Sequence, residues 1–284
     1  FTERHRLDAL PSEIERLTAA AGKLETLLAD PDTIVTGSGS PLVLAHGAGG
    51  SIEANFGQVI EALSPTRTLV GMNYPGSGAT PENPGALHLS ILADSLVRAA
   101  VDAGFERFPI LGLSLGTAVA VTAAARHPDR VTGLLLTVGF AQPDQQLRLV
   151  VDTWTALAGS DDRAALAGYL VSLSSPAVLS ALDREAAETA VAATLESYPA
   201  GGADQARLAS SVDTVAECRQ ITIPTVVFVG GQDRIVLPQT TRQLAATIPG
   251  AKLIEYAEAG HIFTPAETPA WIDDIGAFLR DHDL

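Results

Sequence analysis

The stretch LGLSLGTAVAV, residues 111–121, sets one serine between two glycines, Gly112, Ser114 and Gly116 falling at i−2, i and i+2. The apolar run FPILGL (108–113) precedes the serine, and a run of small residues follows it. That pattern reads as a strand turning straight into a helix. So sharp a turn forces the serine into a strained backbone conformation and leaves no room for side chains two residues to either side. It lifts the hydroxyl clear of the backbone. It also aims the helix N-terminus, with its free N–H groups and positive dipole end, at the same point. The motif alone is weak in a chain with 25 glycines; the strand before it and the helix after it give it weight.

Working outward, short apolar runs recur at 41–45 (PLVLA), 68–72 (TLVGM), 132–138 (TGLLLTV), 224–229 (PTVVFV) and 252–256 (KLIEY). They do not alternate, as expected for parallel strands buried on both faces. Residues 33–36 (TIVT) read as one more strand. Helical segments fall near 52–64, 90–103, 115–127, 238–247 and 267–281. Strand alternating with helix predicts an α/β fold, a mostly parallel twisted sheet flanked by helices. The interval 141–215 breaks the rhythm. It reads as several Ala- and Leu-rich helices, broken at Pro143, Gly159, Pro176 and Pro199, inserted over one end of the sheet. Residues 12–29 read as an amphipathic helix opened by a Ser12–Glu15 capping box.

Composition narrows the function. The chain has 284 residues and a net charge of −15, with 33 acidic against 18 basic side chains. That argues against nucleic acid or an anionic membrane surface as partner. No run of 18 apolar residues occurs, and the charged first 30 residues do not resemble a signal peptide, so a cytoplasmic protein is expected. One cysteine, Cys218, rules out an internal disulfide and reads as a buried small residue or an inert thiol. No metal-binding spacing and no complete dinucleotide- or phosphate-binding motif is present, so no cofactor and no metal are expected. The expected partner is a small-molecule substrate, and the expected state a monomer or homodimer.

A hydroxyl alone is a poor nucleophile. It needs a base, a group that orients the base, and donors for the oxyanion, each from the end of another strand. EYAEAGHIFTPAE after the 252–256 run offers His261. VGGQDRIVLP after 224–229 offers Asp233. HGAGGS after 41–45 offers a glycine loop whose backbone can approach a ligand. Asp144, after the 132–138 run, is the alternative acid.

In HGAGG, NYPGSG, GLSLG, GGQDRIV and AGHIF, the chain resembles the α/β-hydrolase fold family over nearly all of residues 32–284. The resemblance implies Ser114 as nucleophile, His261 as general base then acid, and Asp233 as its orienter. It implies an oxyanion hole from the N–H groups of Leu115 and Ala48, with Gly49 as the near alternative. It also implies a helical cap over 141–215, inserted after the sixth strand, on a core of 32–140 and 216–284 that follows an N-terminal extension, 1–31. Two features depart from the family. The opening hairpin is reduced to 33–36, and Asn73 stands where an acid is common.

Other side chains are weighed against this frame. His46 is expected to hold the glycine loop by hydrogen bonds. His5, His88, His127 and His282 are read as surface or helix-end residues. Trp154, Tyr169 and Tyr198 either pack the cap or, with Gly49, line an apolar substrate pocket. The function implied is a serine hydrolase acting on a carboxylic ester, thioester or lactone of a small apolar substrate through an acyl-enzyme. A lyase, eliminase, cyclase or cofactor-free perhydrolase on the same residues, of the kind found in natural-product biosynthesis, is the alternative; a non-catalytic receptor on this fold is the third.

Overall fold

The computed structural model describes residues 18, 19, 22, 31–83 and 85–284. The helix expected over 12–29 falls largely outside them, as does His5. Seven strands form one sheet in the order β1-β3-β2-β4-β5-β6-β7. They are β1 (Thr33–Gly37), β2 (Ser40–Ala45), β3 (Arg67–Met72), β4 (Phe108–Leu113), β5 (Val131–Thr137), β6 (Thr225–Gly230) and β7 (Lys252–Tyr256). β1 runs antiparallel to β3, and every other pairing is parallel. Every residue of β4 and β6 is buried, which is why their sequences carry no alternation. The two edge strands, β1 and β7, are largely exposed.

Helices cover both faces. α1 (Ile52–Leu63) lies on one face, where Ser51 caps it by accepting the Ala54 N–H at 3.1 Å. α2 (Leu89–Asp102) and α3 (Leu115–Arg126) pack together on the other. Between β5 and β6 come α4 (Gln145–Ala158), α5 (Arg163–Ser172), α6 (Pro176–Ala181), α7 (Arg184–Ser197), α8 (Gly202–Ser210) and α9 (Val215–Cys218). α10 (Pro238–Thr247) joins β6 to β7. α11 (Thr268–Asp281) ends the chain and packs beside α1.

No described strand lies between residues 138 and 224, as the sequence pattern predicts. The backbone N–H of Thr214 donates to the carbonyl of Ala141 at 2.9 Å, so this segment leaves and rejoins the sheet at one point. It departs from β5. That is the sixth strand only if a second opening strand is counted, and the described residues hold just β1 ahead of β2.

The strand order places the site. β3 lies on one side of β2, and β4, β5, β6 and β7 follow in turn on the other. The carboxyl ends of β2 and β4 therefore flank the point where the winding reverses, and α/β sheets bind their ligands in that crevice. Ser114 follows β4 and residues 46–50 follow β2. A Cβ at Gly47 would lie 3.2 Å from that of Ser114, so the two loops touch.

The β4-to-α3 turn needs both its glycines, for two different reasons. Ser114 has φ 55° and ψ −119°, a conformation that costs a non-glycine residue about 1–3 kcal/mol. A Cβ at residue 116 would lie 1.9 Å from the Ala45 carbonyl oxygen, in the neighbouring strand β2. A Cβ at residue 112 would lie 2.5 Å from the carbonyl of Gly116 itself. The first glycine makes room for the helix; the second lets the helix meet the next strand.

Gly116→Ala is therefore expected to destabilise the chain by about 3 kcal/mol or more, since neither clashing group is a side chain that can move aside. Gly57→Ala is the matched control. Nothing lies within 4 Å of its added Cβ, and it sits inside α1. There alanine should stabilise by about 0.5–1 kcal/mol through helix propensity. Urea unfolding of the two variants checks the contrast; equal effects would mean the β4–α3 turn is looser than described.

Candidate active site

Ser114 is 8% exposed and its hydroxyl makes no capping hydrogen bond. Its own backbone is held: its N–H donates to Thr137 O at 2.9 Å, and its carbonyl accepts the Thr117 hydroxyl at 2.7 Å. The strained residue is thus tied down while its Oγ is left uncommitted.

The ends of β6 and β7 bring Asp233 and His261 together. His261 Nδ1–H donates to Asp233 Oδ2 at 2.7 Å, with both side chains buried. Asp233 Oδ1 accepts the backbone N–H groups of Ile235 at 2.8 Å and Val236 at 3.0 Å. The carboxylate cannot swing without breaking those bonds. This arrangement assigns the His261 proton to Nδ1 and leaves Nε2 a lone pair.

Asp144 is differently engaged. Its Oδ1 caps α4 by accepting the Leu147 N–H at 2.7 Å. Its Oδ2 accepts the Leu237 N–H at 3.2 Å and the Thr240 hydroxyl, which ties α4 to the start of α10.

The loop after β2 was expected to present backbone amides, and three of them are already taken. Gly47 N–H donates to Asn55 Oδ1 at 2.8 Å, Gly49 N–H to Gln205 Oε1 at 2.9 Å, and Gly50 N–H to Gly47 O at 3.3 Å. Among the described residues the Ala48 N–H has no partner, and neither has that of Leu115 at the start of α3. Of the two loop amides considered for an oxyanion, Ala48 is open and Gly49 is occupied.

His46 aims that open amide. Its Nδ1–H donates to the Gly47 carbonyl at 2.8 Å, and its Nε2 accepts the Tyr74 N–H at 2.9 Å. The Gly47 carbonyl and the Ala48 N–H belong to one planar peptide, so gripping the oxygen orients the N–H. Only the neutral Nδ1–H tautomer satisfies both contacts. The ring also stacks on Tyr74 with centroids 3.8 Å apart, and burial lowers its pKa to about 4. His46 has the structural role the sequence suggests. His88, His127 and His282 cap helix ends, and Cys218 is buried.

Asn73, the departure from the family pattern, has a physical account. Its Oδ1 accepts the Ile52 N–H at 2.8 Å while its Nδ2 donates to Asp32 Oδ2 at 2.7 Å. An acid could not do the second. Asp32, which also accepts the Ala79 N–H at 2.8 Å, supplies the carboxylate from the entrance to β1 instead.

Of the expected pocket residues, Trp154 meets the site from α4. Its ring lies 2.6 Å from where a Cβ on Gly49 would be, so only glycine, here at φ +71°, fits beneath it. Its Nε1–H donates to the hydroxyl of Tyr198 at 2.8 Å. Tyr169 turns its hydroxyl to the Val150 carbonyl at 3.4 Å, a contact within the helical segment. A cavity of about 300 Å³ has His261 in its wall, lined with Leu170, Leu173, Val178, Ile235 and Phe263. Sequence reasoning missed Asn55, Gln205 and Asp32. Nothing marks a glutamine in an Ala-rich helix as one that reaches the core.

The sequence family described as alpha/beta hydrolase fold matches residues 40–265. A pyrrolizixenacetamide deacetylase from Xenorhabdus hominickii is 30% identical over 252 residues, 88% of this chain and 94% of that protein. A pimeloyl-[acyl-carrier protein] methyl ester esterase from Neisseria meningitidis is 28% identical over 77% of this chain and 84% of its own. The crystal structure of an enol-lactonase from Burkholderia xenovorans LB400 superposes with a TM-score of 0.76 at 22% identity, over 87% of this chain and 95% of that one. The chain belongs to the α/β-hydrolase fold family and is an enzyme of that family. No described helix is long and apolar enough to cross a membrane, and no described cluster of His, Cys, Asp and Glu could hold a metal.

The buried His46 gives a pH test. Its pKa is lowered on folding, so the unfolded chain takes up the proton first. Its contribution to stability is complete above pH 6.5 and is lost as pH falls towards 4, about 3 kcal/mol in all. Imidazole NMR at pH 5.5 should find His46 neutral with its proton on Nδ1. Between pH 6.5 and 4 the parent should lose stability more steeply than His46→Gln; equal slopes would mean that His46 is not held neutral by the fold.

Proposed function

We propose that the chain is a serine hydrolase, cleaving a carboxylic ester, thioester or lactone of a small apolar substrate through an acyl-enzyme on Ser114. The observation that carries this reading is the 2.7 Å bond from His261 Nδ1 to a fixed Asp233 carboxylate, from residues brought to the same sheet end as the strained Ser114. In the first half-reaction Ser114 Oγ attacks the acyl carbon and its proton passes to His261 Nε2. The tetrahedral oxyanion takes hydrogen bonds from the Ala48 and Leu115 N–H groups, neither of which has another partner among the described residues. The intermediate collapses, and His261 gives its proton to the leaving oxygen or sulfur. Water, deprotonated by His261, then attacks the acyl-enzyme, and as the second tetrahedral intermediate collapses His261 returns that proton to Ser114 Oγ and the acid leaves. Asp233 stabilises the imidazolium in both halves.

In this reading 141–215 is a cap and the residues either side of it, 32–140 and 216–284, are the core. The apolar cavity beside His261 supports an apolar group on the substrate. The 30% identity to a deacetylase adds an acetamide to the bonds to be tried.

A fluorophosphonate probe should label Ser114 in the folded chain, and p-nitrophenyl esters of rising chain length, with thioesters and lactones, should reveal turnover. Ser114→Ala should remove labelling and cut turnover by several orders of magnitude. Asp233→Asn, which keeps shape and loses charge, should cost about 10³–10⁴-fold, as expected when the base is in the wrong tautomer. Asp144→Asn should change turnover less than about tenfold, since its oxygens only join two helices. Turnover in a folded Ser114→Ala variant within about tenfold of the parent, only about 1.4 kcal/mol of barrier, would overturn the reading.

A further inference from the structure

The side chain of Gln205, on α8, is fully buried and leaves the inserted segment to enter the core. Its Oε1 accepts the Gly49 N–H at 2.9 Å. Its Nε2 donates both protons, to the Pro75 carbonyl at 3.0 Å and to Ser77 Oγ at 2.9 Å. The orientation is unambiguous, because a flipped amide would set oxygen against the Pro75 carbonyl and NH₂ against an N–H. The Ser77 hydroxyl in turn donates to the Gly50 carbonyl at 2.7 Å. One glutamine thus grips residues 49 and 50 from two directions.

The start of α8 is seated backbone to backbone. Gly201 N–H donates to the Gly76 carbonyl at 3.2 Å, and a Cβ on Gly76 would lie 2.2 Å from Gly201 N. Both glycines are needed for that approach, which sets Gln205 one turn further on against the loop. A buried primary amide with three partners would be costly to leave in place if any were removed.

We infer that Gln205 is a positioning residue for the oxyanion amide, resting on the acyl-transfer reading above. The sequence offers two loop amides for the oxyanion, Ala48 and Gly49. Gln205 takes Gly49, which fixes the backbone after Ala48, while His46 fixes the peptide before it. Among residues 47–50 the Ala48 N–H is the one without a partner in the described residues, and its direction is set from both sides. Without Gln205 the loop gains a second unpaired amide and the freedom to turn either one inward. Ground-state binding of substrate does not depend on that choice; stabilising the oxyanion does.

Two measurements test this. In the parent, amide hydrogen exchange at Gly49 should be at least about 100-fold slower than at Ala48, as expected for a buried bond beside an open one. In Gln205→Met, similar in size but without the hydrogen bonds, Gly49 should lose that protection. Its kcat per titrated active site should fall about 10–100-fold with KM within about threefold, the pattern of a misplaced transition-state donor. A purely structural role would instead lower the melting temperature and the titratable fraction, leaving kcat per site unchanged. Gly49 exchanging as fast as Ala48 in the parent, or a folded Gln205→Met with kcat per site within about threefold of the parent, overturns the inference. If fluorophosphonate fails to label Ser114, the hydrolase reading falls, while the exchange result still decides where Gln205 holds the loop.

Discussion

The carbonyl oxygen of Ala45 lies where a side chain on residue 116 would begin. That approach, between the end of β2 and the first turn of α3, fixes much of the site. It sets the serine at φ 55°, leaves its hydroxyl free of its own helix, and brings the loop after β2 against it. A strained residue persists only where its surroundings over-determine it. Here they do: β2 and β5 pair with β4 up to the turn, Ala45 with Gly112 and Thr137 with Leu113, and the Ser114 N–H and carbonyl are both bonded.

The same logic governs the loop after β2. A glycine-rich loop is usually credited with flexibility, yet this one is held by Asn55, His46, Gln205 and Ser77, with the ring of Trp154 against Gly49. The glycines serve close approach rather than motion. Rigid placement matters because a donor that is already aligned costs no reorganisation when charge develops. His46 can take part only as a neutral ring, and its full burial is what keeps it so.

Much of this was legible in the chain. The six apolar runs and TIVT became the seven strands, because a strand buried on both faces must be apolar throughout and β4 and β6 are buried throughout. The meeting of Asp233 with His261 follows from spacing, since 28 residues hold one crossover helix and one strand and return the chain to the same sheet end. Gln205 and Asp32 were not legible. Their contacts span 156 and 41 residues, to Gly49 and Asn73 respectively, and no local pattern encodes a polar side chain whose partner is so distant. Asn73 is no lost acid, because Asp32 supplies the charge to which it donates. Trp154 and Tyr169, alike in sequence as cap aromatics, separate only in three dimensions. One meets Gly49; the other turns to Val150.

Asp144 and Asp233 show how little the residue type decides. Both follow a strand at the same end of the sheet, and either could orient an imidazole. Asp144 spends both oxygens on joining α4 to α10, accepting from Leu147, Leu237 and Thr240. Asp233 spends one oxygen on two adjacent amides of its own turn, which fixes the carboxylate plane and leaves the other oxygen for His261. An orienting acid must be immobile and still have a lone pair to offer. A carboxylate committed on both oxygens meets only the first condition, and one free on both meets only the second. The turn D-R-I-V, which folds Ile235 and Val236 back onto the aspartate two and three residues earlier, meets both with local backbone alone. The orienting position therefore depends less on which strand carries the acid than on whether the acid's own turn can hold half of it.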